Sequence, residues 1–128
     1  VSTFAADRLH YIVGQQTPLA SMPTSAGVLT YNLVGSTLPT RGDGAVGSIT
    51  NTSFQVNFAG TMSVSIVTSF GTVSSAGLSR SGNTFQTTSG SIVGSFFGPI
   101  AATAGLVYKD FNAGPNLYYS GALVFQRP

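Results

Sequence analysis

Apolar and polar residues alternate along the chain in short runs, and from Gly27 onward each run ends near glycine, asparagine or proline. A period of two closed by turn residues is the pattern of antiparallel strands joined by tight connections. It predicts strands over residues 28–34, 53–58, 61–70, 72–78, 84–88, 90–97, 101–108 and 117–126. Leu29, Tyr31 and Leu33 share one face of the first, with Thr30 and Asn32 on the other. Phe54, Val56 and Phe58 line up in the second, Met62, Val64, Ile66, Thr68 and Phe70 in the third, and Tyr119, Leu123 and Phe125 in the last. Ala59-Gly60, Ser81-Gly82-Asn83, Gly98-Pro99 and the stretch from Asn112 to Asn116 read as connections, and Gly71 as a break. Leu9–Val13 is a candidate opening strand, and residues 15–25, with Pro18 and Pro23, read as a loop.

A meander of about eight strands with one apolar face buries that face best by closing on itself, which also removes unpaired edges. The expected fold is therefore all-β, a single antiparallel barrel with little or no helix. Gly47, Gly94 and Gly121 fit the bends of a small barrel wall. At 128 residues, one domain of that kind accounts for residues 1–128.

Composition strengthens this picture. Charged residues make up only 6% of the chain, so Ser, Thr, Asn, Gln and Gly must carry its solubility, and these residues disfavour helices. The pI near 9.3 rests on a net charge of +2. The five cations, Arg8, Arg41, Arg80, Lys109 and Arg127, are scattered singly, so the chain lacks the basic cluster that nucleic acid requires. The absence of cysteine excludes disulfides, thiol catalysis and Cys-ligated metal. A chain that starts at Val1 without a signal stretch reads as processed or excised from a longer protein. No apolar run is long enough for a membrane helix.

Few residues suggest chemistry. Arg41-Gly42-Asp43 is an integrin-type tripeptide on an expected loop, with a plain polar turn as the simpler reading. Residues 42–47 match G-x-G-x-x-G, but no helix follows and the next acid is Asp110, so the match is accidental. Asp7 and His10 could join a serine in a hydrolytic triad, yet the chain has no G-x-S-x-G elbow. The three aspartates form no pair for glycosidase chemistry and, with a single histidine, no metal cluster. The expectation is no catalytic residue, no metal and no cofactor. His10, Tyr11, Tyr118 and Tyr119 are the side chains that could ligate haem. Asn51-Thr52-Ser53 is a glycosylation sequon, which would be incidental if the source is bacterial.

Residues 90–108 resemble the G-x-F-F/Y-G-P-x-A-x-E-x-G-G-x-F stretch in the β-barrel domains of transferrin-binding protein B and related surface lipoproteins. Gly94, Phe96, Phe97, Gly98, Pro99, Ala101 and Gly105 fit, while Thr103 stands at the acidic position and Leu106 at the second glycine. The opening at residues 10–14 and the strand at 29–33 are also similar to barrel modules of bacterial periplasmic or surface proteins. The resemblance implies an eight-stranded barrel of the Gram-negative envelope, in the periplasm or on the outer-membrane surface. It carries over no binding residue, because the shared positions are structural.

The leading expectation is a non-enzymatic binding or scaffold barrel, a monomer or part of a multidomain chain. Loops at residues 36–44 and 109–116 would face a protein partner or support a neighbouring domain. Arg41, Asp43, His10 and Tyr118 are its candidate ligand-binding residues. One alternative is a carrier barrel for haem or a small apolar ligand, in which Tyr31, Phe54, Phe58 and Phe96 would have to leave a cavity. The other is a small outer-membrane barrel, with the apolar face turned to lipid.

Overall fold

The alternating runs do become strands, which curl into one sheet. The computed structural model describes residues 2–6, 9–110 and 117–128. Among them, the strands are β1 Ser2–Ala6, β2 Leu9–Val13, β3 Leu29–Ser36, β4 Thr40–Arg41, β5 Ile49–Val56 and β6 Met62–Thr68. They continue as β7 Gly71–Ser75, β8 Ser79–Ser81, β9 Thr84–Gln86, β10 Ile92–Phe97, β11 Thr103–Asp110 and β12 Tyr119–Gln126. Two single-turn 3-10 segments, Leu19–Ser21 and Pro99–Ala101, are the helical elements, and neither could cross a membrane. The expected connection at 112–116, together with Asp7, lies outside the described residues.

The main sheet runs β7-β6-β5-β3-β12-β11-β10-β9-β8, antiparallel at every step, with β4 also paired to β12. The fold is all-β, a curled antiparallel half-barrel of nine strands. The expected closure is incomplete, because β7 and β8 remain sheet edges. At one end β8 is tied to β6 and to the turn that precedes it, where the Leu78 N–H donates to the Met62 carbonyl at 3.0 Å and the Arg80 guanidinium donates to the Phe58 carbonyl at 2.9 Å.

The inward face is filled by rings. Phe54 stands at the centre, 5.0 Å from Phe125 and 5.5 Å from both Tyr31 and Phe85, centroid to centroid. Phe96 continues the stack to Phe58 and Phe85 at 5.3 Å each. Such ring pairs add to the burial of the rings themselves. Tyr31 donates its hydroxyl to the Ala101 carbonyl at 2.7 Å, and burial pushes its pKa up to about 12. Tyr108 lies over Gly121, its cross-strand partner, where a Cβ would come within 2.3 Å of the phenol oxygen. Among the described residues, the buried hydroxyl of Tyr108 has no hydrogen-bond partner. Outward positions on β5 and β6, such as Ser53, Gln55, Ser63 and Ser65, are polar. That is the reverse of the apolar-out alternation a lipid-facing barrel needs.

Several local expectations are corrected. Leu9–Val13 forms a strand, but it pairs with β1 in a separate hairpin instead of opening the barrel. That hairpin lies outside the wall, over β11, β12 and β3. The strand expected over residues 61–70 forms as Met62–Thr68, shortened because the turn comes at Ser69-Phe70, before Gly71. Residues 72–78 end early at Ser75, and β8 follows as a separate strand. The pairing of β3 with β12 passes over Val34, a bulge beyond which Gly35 and Ser36 pair with Val124 and Leu123, while Leu33, opposite Phe125, is only partly covered at 38% exposure. The 36–44 loop contains β4, and Gly47 lies in a connection. The Gly82-Asn83 hairpin forms as expected between β8 and β9.

Candidate functional site

Three of the four candidate binding residues meet at one end of the barrel, and the fourth adjoins them. β4 pairs with the start of β12, setting Arg41 opposite Tyr119 and Thr40 opposite Ser120. After Arg41 the chain turns: the Gly44 N–H donates to the Arg41 carbonyl at 2.9 Å and the Gly42 N–H to the Tyr118 carbonyl at 2.8 Å. Within this turn Arg41 and Asp43 grip each other. The guanidinium donates from Nε to Oδ1 at 3.0 Å and from its terminal nitrogen to Oδ2 at 2.8 Å. The hydrogen bond from Arg41, helped by the Ala45 N–H, holds the Asp43 carboxyl below its usual range. Arg41 also sits over the Phe70 ring, 4.8 Å from its centroid. The tripeptide is thus a closed turn whose two charges face each other, and a receptor reading both would have to open the pair. Tyr118 is 42% exposed beside it, with the Lys109 ammonium 5.8 Å from its ring centroid.

His10 reaches the same neighbourhood from β2. Its Nδ1 lies 2.6 Å from the Thr37 hydroxyl and its Nε2 2.7 Å from the Thr40 hydroxyl. Thr37 in turn accepts the Ala122 N–H at 2.9 Å. Burial lowers the pKa of His10, so the ring is neutral and one nitrogen donates while the other accepts. Its two hydroxyl partners make His10 a clamp between the outer hairpin and the 36–44 segment. Among the described residues no cluster of three metal-binding side chains exists.

A second concave surface lies on the outside of the wall. It is a groove of about 740 Å³ between β2 and the outward face of β9, β10 and β11. Residues 10–14 form one bank, and Val93 and Val107, a cross-strand pair, form the centre of the floor. Gln16 closes one end by donating to the Ser95 hydroxyl at 2.9 Å, and Thr17 pairs with the Phe96 carbonyl at 2.9 Å where β9 has stopped. Beneath β2, Ile12 packs on Gly105, whose missing Cβ would sit 2.9 Å from the isoleucine side chain. The alternation pattern does not reveal this groove. The signal that could have revealed the covering layer is Gly121-Ala122-Leu123-Val124-Phe125, apolar on both faces.

The curled sheet with its ring-filled interior can be compared with solved structures. A double mutant of the vaccine antigen transferrin-binding protein B from Haemophilus parasuis Hp5 superposes with a TM-score of 0.62 at 18% identity. The match covers 89% of this chain and 28% of that one. The fold is similar to part of a transferrin-binding protein. No protein-family model matches the chain, and no curated protein sequence does. At this identity the likeness concerns the fold. In this chain, the resembling residues build the β10–β11 hairpin: Phe96 fills the interior, Phe97 lies outside near Gly105, and Gly98, at φ 75°, starts the turn.

Proposed function

We propose that this chain is a non-enzymatic binding module of a Gram-negative cell envelope, lying outside the cytoplasm. It presents the 36–44 segment and Tyr118 to a protein partner or a neighbouring domain. The observation that carries this reading is the convergence of Arg41, Asp43 and Tyr118 at one end of a barrel whose interior is filled. A packed barrel is a rigid base, and the connections it holds are where binding residues can vary without cost to the core. The similar fold in a protein named for binding transferrin supports a binding role. The filled interior weighs against a ligand carried inside the barrel.

The test is site-specific photo-cross-linking in Gram-negative cells making the full-length protein that contains this chain. A photoreactive residue replaces Tyr118 or, for comparison, Ser53 on the outward face of β5. Adducts of one defined mass from position 118, absent from position 53, are expected. Equal cross-linking from both positions, or none from 118, would overturn the reading.

A further inference from the structure

The outer hairpin is an incomplete layer. β1 lies over β12 and β3, and β2 lies over β12 and β11. Among the described strands, β2 pairs with β1 alone, because its sheet consists of β1 and β2. Its other side is the bank of the groove, where residues 10–14 run consecutively along the opening. The same wall that is sealed beneath the hairpin, with Ala122 at 0% and Val124 at 5% exposure, is bare one step further, with Val93 at 48%. The groove therefore occupies the place of the next strand in the layer, directly above β10 and β9.

From this arrangement we infer that the groove is a docking site for an extended linear peptide, which adds as a third strand to the β2 edge. Strand addition supplies affinity through the main chain and specificity through alternate side chains. Those alternate side chains would lie on Val93 and Val107, with Thr84 and Gln86 at the margin. Among the described residues the groove is lined by no Asp, Glu, Lys or Arg, so a charge directed onto them would be desolvated without a partner. The occupant is accordingly uncharged at its inward positions and rich there in β-branched or aromatic residues, which suit a pleated, half-buried surface. A second copy cannot supply the strand from its own β2. A two-fold axis between antiparallel neighbours stands perpendicular to the shared sheet, which would put both barrels under the same face, where they collide. The peptide must be free of a domain beneath it.

The proposal is tested by panning the purified chain against a phage-displayed library of random linear twelve-residue peptides. Enriched sequences are remade as fluorescein-labelled peptides and measured by anisotropy. Enriched peptides should alternate apolar and polar residues, and Val93→Glu should weaken them at least tenfold while Arg41→Ala leaves them unchanged. Gln86→Lys, at an exposed position, provides a second variant, and circular dichroism confirms that each is folded. Amide exchange across residues 10–14 should slow at least tenfold in the complex. No enrichment, binders that survive both groove variants, or binders lost on Arg41→Ala would overturn the proposal. So would a fluorescent fatty acid that binds in a Val93→Glu-sensitive way where no peptide does.

Discussion

The outward face of β12 and the outward face of β10 belong to one sheet, two strands apart, and meet different surroundings. On β12, Ala122 and Val124 are sealed beneath the β1–β2 hairpin, while on β10 Val93 stands half exposed at the floor of the groove. β12 is consequently buried on both faces, and its sequence loses alternation over residues 121–125. β10 keeps only part of its pattern, with Ile92 and Phe96 inside and Val93 outside. The contrast teaches that this wall has a built layer and an unfinished one.

The largest expected effect comes from placing the same charge on each side of the boundary. Val124→Asp should lose about 3–5 kcal/mol, the cost of an unpaired charge under the hairpin, whereas Val93→Asp should stay within about 0.5 kcal/mol. Urea unfolding of both variants checks this, and equal losses would mean that the hairpin does not seal the wall. Next comes the clamp that fixes the hairpin. His10→Gln should cost about 1–2 kcal/mol at pH 8 through lost hydrogen bonds to Thr37 and Thr40.

The pH dependence of that clamp has a definite sign. Burial lowers the His10 pKa from 6.5, so the unfolded chain takes up the proton more readily than the folded one. The stabilisation from the neutral ring is complete above pH 6.5 and is lost as the pH falls below it. Unfolding midpoints measured from pH 8 to pH 5 should show this decline in the parent chain and a flatter profile in His10→Gln. The smallest effect belongs to the exposed turn, where Arg41→Ala should leave the thermal midpoint unchanged, because the Arg41–Asp43 pair is open to solvent.

Most of the barrel was legible because its inward positions follow a strict period of two, and Phe54, Val56, Phe58, Met62, Val64, Ile66 and Phe125 are all buried as that period requires. The bulge at Val34 was not legible, since one extra residue reverses the facing of its neighbours without changing their types. The separate hairpin escaped because an isolated strand pattern at residues 9–13 does not say which partner it will find. The convergence of Arg41, Asp43 and Tyr118 follows from β4 pairing with β12, a contact between segments far apart in the chain. Short-range pattern carries no information on such pairing. The groove depends on two elements from opposite ends of the sequence order and was invisible for the same reason.

The central claim is that the barrel is a filled support whose binding surfaces lie on its outside. Native mass spectrometry of the purified chain, read together with its absorbance spectrum, tests this most directly. The account predicts the mass of the polypeptide without a small molecule and no haem absorbance. A stoichiometric lipid or haem that stays bound through gentle desolvation, and is still retained by Val93→Glu, would place a ligand inside the barrel and contradict the account.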